Sequence, residues 1–468
     1  MIKTRYVGPF EGRILVEPFR HHIYICDQKK PEGAPSCTAN GSLQVIDALR
    51  GAIVKQGLSA DVQVTTCGSL GLCTRGPNMV VYPEGVWYSG VKVADVEQIV
   101  RDHLKDGHVV DRLLSGEQAT VRTEIDGNKQ KMLAAFKARE EAGALPDDLQ
   151  QKVNGFRESR ALLTAVELDV FSAVGAGSDA KTVSGTLGTD PRATESLLNA
   201  LVAVGLLSKQ NGTFTNTPVS ARYFVAGAEH DSRAALMHTV HLWTRWSTLT
   251  DCVQKGTSVT AGQQRARDDE WTTAFIAAMH KNARVRAPMV VRAVGLDGVR
   301  RVLDLGGGSG AYSIAFAEAR PDLTAEILDL ASVVPIAQGH IDEAGLSTRV
   351  KTRVGDLNDD TYGTGYDLVF VSAICHMNSP DENRAMFRKA LAALAPSGRL
   401  VIQDFVLNAD KAGPKTGALF ALNMLVGTRA GSSYSEEEYV GWLRETGFAE
   451  PRRIALPGPT DLVIARRP

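Results

Sequence analysis

The sequence predicts an α/β chain. A doubly wound parallel sheet forms the C-terminal part, a helical module with a winged helix precedes it, and a small mixed α/β module stands at the front. Three observations carry that reading. The stretch 301–317, RVLDLGGGSGAYSIAFA, runs from an apolar strand through a loop with glycine at four of five positions into a helix. From Gly295 onward apolar strands alternate with helical patterns, the strands falling at 301–305, 324–329, 350–354, 366–371, 399–405 and 461–465. Upstream, a helix opened by Asp190-Pro191 is followed by a hairpin turning on Asn211-Gly212.

Composition bounds the function. At 468 residues the chain has room for several domains, and 44% apolar against 22% charged residues is a globular balance. A formal net charge of −1 gives no general attraction to nucleic acid or anionic lipid. The opening MIKTRYVGPFEGR has no apolar core of signal-peptide length, and no apolar run of about 18 residues appears, so the expectation is a cytoplasmic protein with no membrane partner. Six cysteines in such a chain read as thiols or metal ligands, not as structural disulfides.

The front module is placed at 1–110. HHIYIC (21–26) reads as a strand, 42–56 as a helix, 61–65 as a strand, MVVYPEGVWYSG (79–90) as a hairpin and 93–104 as a closing helix, a thioredoxin-like order. Cys26, Cys37, Cys67 and Cys73 are spaced C-x10-C-x29-C-x5-C and lie at strand ends or in loops, where thiolates can converge on iron. A zinc site or plain core thiols are the alternatives. With Cys73, Gly76, Pro77 and VVYPEG (80–85), the module resembles the thioredoxin-like [2Fe-2S] ferredoxins. That resemblance implies a [2Fe-2S] cluster on the four cysteines and a redox partner for it. The family's last pair is usually C-x3-C, which here would fall on Ser69. Cys67 is preferred as the ligand because a thiolate is the softer donor, and serine ligation stays open.

Residues 111–150 are charged and helix-prone, broken by Pro146, and read as a linker with one exposed helix. The third part, 151–290, begins with the winged helix. A redox-sensing DNA-binding protein is the alternative it raises. From Lys181 to Phe224, however, the basic residues are Lys181, Arg192, Lys209 and Arg222, too few for phosphate contact. The helical stretch that follows carries Trp243, Trp246, Trp271, Phe275 and Met279 at a spacing that suits core packing as well as a pocket.

The last part, 291–468, holds the chemistry. The glycine loop satisfies Gly306-x-Gly308-x-x-Ala311, which a dinucleotide site shares. Asp329 ends the next strand, 23 positions after Gly306, where an acid suits ribose hydroxyls. Asp304 precedes the glycines and would repel a pyrophosphate but attract an ammonium group. Together they ask for a ribose with a cationic amino-acid end. With DLA (329–331) and GDL (355–357), the chain from about 154 onward resembles the class I S-adenosylmethionine (SAM)-dependent small-molecule O-methyltransferases, whose sheet is Rossmann-like. The resemblance implies SAM held by Asp304, Gly306, Gly308, Asp329, Asp356 and Leu357. It implies His376 as general base and Asp404 as the carboxylate that holds it, with Ser433 at or near the place of a second family carboxylate. A pocket for a small-molecule acceptor would include Trp243, Trp246, Met279, Asn423 and Met424, beside Phe420. LLTAVELDVF and LLNALVAVGLL are phrases of that family's dimerisation domain, which implies a homodimer. The expected reaction is methyl transfer to a hydroxyl on an aromatic or polyketide-like molecule. The alternatives are C- or N-methylation in the same pocket, or redox chemistry that keeps SAM and draws on the cluster.

Overall fold

The computed structural model describes residues 18–30, 34–260 and 269–468. The opening segment read for a signal core and the Trp271 and Phe275 side chains lie outside the described residues. Two compact units emerge, Met1–Gly155 and Phe156–Pro468.

In the first unit four strands form one sheet: β1 (His21–Cys26), β2 (Val62–Cys67), β3 (Asn78–Tyr82) and β4 (Val86–Ser89), in the order β2-β1-β3-β4. β1 and β2 run parallel across the helix Ser42–Lys55, whose Val45, Ile46, Leu49 and Ile53 are buried. β3 is antiparallel to β1, and β4 returns antiparallel to β3. Strand alternation puts Ile23, Ile25, Met79, Val81 and Tyr88 in the core. The register pairs Cys26 with Cys67, so both face the same side of the sheet. The helix Gln118–Glu141 is largely exposed, with Val121 buried. Its first half is no free linker, because Asn128 Nδ2 donates to the Gly71 carbonyl and Glu124 meets Arg75 at 2.7 Å. That anchors it on the loop that carries Cys73.

The second unit opens with helices. Asp190 caps the helix Pro191–Ala203 by accepting from Ala193 N at 2.8 Å, a contact of about 1 kcal/mol. β5 (Leu207–Gln210) and β6 (Thr213–Asn216) form the wing, with Asn211 and Gly212 both at positive φ as a tight hairpin turn requires. Lys209 is held by Glu195 at 3.2 Å and by Asn199, so one of the few cations in this module is already paired.

The large sheet contains β7 (Arg301–Leu305), β8 (Thr324–Asp329), β9 (Val350–Val354), β10 (Tyr366–Ser372), β11 (Leu394–Asp404), β12 (Ala449–Ile454) and β13 (Asp461–Arg466). Its order is β12-β13-β11-β10-β7-β8-β9, with β7 to β11 parallel and β13 antiparallel to β11. Chain order reverses between β7 and β10, and ligands of open α/β sheets sit outside the strand ends at such a point. The edge strand β12 carries Pro451 and a register shift between Ala449 and Arg452, and its sequence pattern gave no strand. Among the described residues no helix is long and apolar enough to cross a membrane.

Because the second unit has its own core on both faces of its sheet, a chain beginning at Asp147 is expected to fold. Circular dichroism and thermal unfolding check this. The expected result is one cooperative transition; a non-cooperative melt would make the first unit a structural part of the second.

Candidate functional site

The carboxyl ends of β7, β8, β9, β10 and β11 bring the candidate residues to one edge of the sheet. After β7 the chain turns on Gly306 and Gly308, both at positive φ. A Cβ on Gly306 would meet Ile374 Cδ1 at 2.5 Å, so only glycine lets the turn pass beneath that side chain. Gly306 N donates to the Leu328 carbonyl at 2.8 Å, and Gly308 N donates to Asp329 Oδ2 at 2.7 Å. Asp329 Oδ1 accepts from Leu330 N, also at 2.7 Å. Each oxygen of this carboxylate thus keeps a lone pair for another donor. Burial nonetheless raises its pKa above the usual carboxylate range. Gly355 N donates to the Asp329 carbonyl, which brings Asp356 and Leu357 to the same edge; both are half-buried.

Asp304 lies within the core. Its side chain is fully buried behind the turn, where Oδ2 accepts from Ser313 Oγ at 2.7 Å and Oδ1 has no partner. A Cβ on Gly307 would stand 2.7 Å from its carboxyl carbon. Burial pushes its pKa up to about 7, against the lowering by Ser313. Asp304 therefore lies against the glycine turn from within the core, with one carboxyl oxygen unpartnered. Its place near the carboxyl end of a strand buried from Val302 to Leu305 is the physical reason for that burial.

Beyond β10, Ala373 adopts φ 58°, a left-handed conformation that costs a residue with a Cβ about 1–2 kcal/mol. That bend leads into the short turn Cys375–Met377. There His376 Nδ1 stands 2.6 Å from Asp404 Oδ1, and His376 N donates to Asp404 Oδ2 at 3.1 Å. The carboxylate also accepts from Phe405 N at 2.8 Å and from the Tyr439 hydroxyl at 3.4 Å. One anion thus orients both the ring and the main chain of His376. With the proton on Nδ1, Nε2 is the basic nitrogen. The edge of the ring packs on Phe420 at 4.8 Å, and Phe420 stacks on Phe405 at 3.9 Å. Cys375 is fully buried, and its thiol is pushed well above the usual range by that burial.

Trp246 Nε1 donates to Asn423 Oδ1 at 3.0 Å, joining the helix Arg233–Trp246 to the helix Lys415–Gly427. Asn423 and Met279 are half-buried and Met424 is buried. Trp243 lies under the guanidinium of Arg160. Ser433 is buried with its Oγ unpartnered, in the chain next to Tyr434, which pairs with Val406. Sequence reasoning missed Tyr439 and Ile374. The capping box Ser435 to Glu438 marks the helix that carries Tyr439, but nothing local shows that its hydroxyl reaches Asp404.

The cysteines do not assemble as expected. Among the described residues no three His, Cys, Asp or Glu side chains stand close enough together to hold a metal ion. The thiols of Cys26 and Cys37 are hydrogen-bonded to one another. Cys73 Sγ lies 3.0 Å from Ser69 Oγ. Cys67 ends β2 in register with Cys26, and the loop that follows carries Ser69 to Cys73.

Comparison with known proteins places these features. Residues 246–449 match the O-methyltransferase domain, and residues 150–226 match the O-methyltransferase dimerisation domain. The chain is 33% identical over 327 residues to a 3-hydroxy-5-methyl-1-naphthoate 3-O-methyltransferase of Streptomyces sahachiroi, covering 68% of this chain and 94% of that protein. It is 28% identical to the tetracenomycin polyketide synthesis 8-O-methyl transferase TcmO of Streptomyces glaucescens, over 69% of this chain and 97% of the relative. The solved structure of PigF with SAH superposes with a TM-score of 0.64 at 26% identity, covering 69% of this chain and all of that one.

Replacing Asp404 by Asn keeps the shape but removes the charge that fixes the His376 tautomer. Turnover is expected to fall about 10²–10⁴-fold with the fold intact. Steady-state kinetics beside circular dichroism check this. Separately, Asp329→Ala should weaken SAM binding in calorimetry; unchanged affinity would remove Asp329 from that site.

Proposed function

The chain belongs to the SAM-dependent O-methyltransferase family, and on that premise we propose that it methylates a hydroxyl on an aromatic or polyketide-like small molecule, with His376 as the general base. The observation that carries the reading is the 2.6 Å contact between His376 Nδ1 and Asp404. A hydroxyl is a poor nucleophile while protonated. The neutral ring, held through Nδ1, can take that proton at Nε2 as oxygen attacks, and buried Asp404 stabilises the imidazolium that results.

The residues present fit SAM. Asp329 keeps acceptor capacity for a ribose diol beside a turn in which Gly306 and Gly308 take positive φ. When bound, SAM supplies a methyl on a sulfonium, a good electrophile. The pocket reading gives Phe420, Asn423, Met424, Trp246 and Met279 the task of orienting a flat acceptor, by analogy with relatives named for naphthoate and tetracenomycin chemistry. The dimerisation domain supports a homodimer.

For the front module the proposal is a [2Fe-2S] cluster, from its ferredoxin-like cysteine and hairpin pattern. Methyl transfer from a sulfonium involves no net electron change, so that step draws nothing from iron.

Purified enzyme with SAM and hydroxylated naphthoates or phenols should give O-methylated products by mass spectrometry. Methyl groups found on carbon or nitrogen would overturn the choice of acceptor atom. His376→Ala should lower kcat about 10²–10⁴-fold with SAM affinity nearly unchanged. Full activity in that variant at neutral pH would leave proximity alone as the mechanism.

A further inference from the structure

The hydroxyl of Ser433 is buried, and among the described residues it has no hydrogen-bond partner. A buried hydroxyl left unmatched costs stability, so a folded chain that keeps one has a use for it. Ser433 stands between two anchors on the turn that carries the base. Two residues before it, a Cβ on Gly431 would lie 2.3 Å from the His376 carbonyl oxygen and 2.9 Å from that of Met377. One residue after it, the Tyr434 hydroxyl donates to the Asn378 carbonyl. The segment is thus laid along 376–378, which holds Ser433 against the turn of His376.

Strand alternation gives the direction of its side chain. The short strands Val406–Leu407 and Tyr434–Ser435 are parallel, with Val406 opposite Tyr434 and Leu407 opposite Ser435. Val406 and Tyr434 point into the core that holds Tyr439 and Trp442. Phe405 and Ser433, one position back on each strand, therefore point the other way. On that side the Phe405 ring stacks on Phe420 at 3.9 Å and stands 6.1 Å from the His376 ring. Leu407 follows the same direction, and a Cβ on Gly417 would stand 2.9 Å from its Cδ2. The Ser433 hydroxyl is accordingly on the side of the base and of the helix Lys415–Gly427, which carries Phe420 and Asn423.

We propose that Ser433 is a specificity residue. Its hydroxyl bonds an oxygen on the ring carbon next to the one whose hydroxyl is methylated, so the preferred acceptor is an aromatic ring with two neighbouring oxygen substituents. This rests on the O-methylation reading above, with His376 as base, and names the class of acceptor. The reacting hydroxyl gives its proton to His376 Nε2, and its oxygen bonds the methyl as the sulfur–carbon bond pair returns to sulfur. Ser433 keeps its own proton throughout. Displaced along the turn from His376, it meets the neighbouring oxygen and not the reacting one. A serine hydroxyl both donates and accepts, so it matches a hydroxyl there and can donate to a carbonyl. It carries no charge and does not compete for the proton that His376 receives. The Phe405–Phe420 stack gives a flat aromatic neighbour for such a ring.

The test uses the full-length enzyme with SAM and acceptors in matched pairs: phenol against catechol, and naphthol against the naphthalene diol with neighbouring hydroxyls. Products are identified by mass spectrometry. Values of kcat/KM are measured for wild type, Ser433→Ala and Ser433→Cys, with circular dichroism to confirm folding. Ser433→Ala should lower kcat/KM about tenfold for the diols and leave it within about twofold for their partners with one hydroxyl. Ser433→Cys keeps the shape with a weaker donor and should fall between; it carries the comparison if the alanine variant does not fold. An equal loss on both members of each pair, or no loss on either, overturns the role of Ser433 while O-methylation stands. If folded wild type binds SAM but puts no methyl on the oxygen of any of these acceptors, the O-methylation reading falls and the role of Ser433 with it.

Discussion

The carboxylate of Asp404 is the interaction on which the site depends. It is almost wholly buried, where an unsatisfied anion would be costly. Four donors meet it: the ring and main chain of His376, the main chain of Phe405 and the hydroxyl of Tyr439. These come from the turn after β10, from the residue after β11 and from the helix Glu436–Glu445. Three separate parts of the chain are thus drawn to one point. The geometry of the base follows from satisfying a buried charge, so folding and preorganisation are the same event here.

The sheet supplies the place for this. Reversal of chain order between β7 and β10 parts the loops that leave those strands, and the glycine turn and the His376 turn flank the gap. The bend at Ala373 lies at the same point. A residue with a Cβ held at positive φ is tolerated where surrounding structure over-determines it. Here Ala373 N is bonded to the Gln403 carbonyl on the neighbouring strand. Tightness recurs at Gly431, whose Cβ position lies 2.3 Å from the His376 carbonyl, so the segment after the helix Lys415–Gly427 also lies hard against the base.

What was legible in the sequence was local pattern with a chemical reason. The strand–glycine–helix order located the turn, and an acid at the end of the next strand located Asp329. The nearness of His376 and Asp404 was legible because one follows β10 and the other ends β11, its neighbour in the sheet. The burial of Asp304 was not legible, because its distance from the glycines along the chain says nothing of which way a side chain points. Strand β12 was missed because edge strands are polar, twisted and tolerant of proline. The role of Tyr439 arises from packing between a helix and a strand end 35 residues apart, and no short-range signal carries that. Ser69 and Cys67 differ by two positions, and softness favoured the thiol. The structure sets Ser69 beside Cys73 and Cys67 in register with Cys26, contacts that spacing along the chain does not reveal.

Two parts of the chain share a device. At Asp404 and Asp329, backbone N–H groups turn toward a carboxylate; at Cys26 and Cys37, they turn toward sulfur. Such donors are neutral dipoles. They orient and stabilise an anion without cancelling its charge, so a full balance needs a cation as well. At Asp404, on the mechanism proposed, that cation is formed when His376 takes the proton of the acceptor hydroxyl. At the thiols of Cys26 and Cys37 the same dipoles meet sulfur in the core. Dipoles laid down by the fold thus hold an anion at Asp404 ready for a transient positive charge beside it.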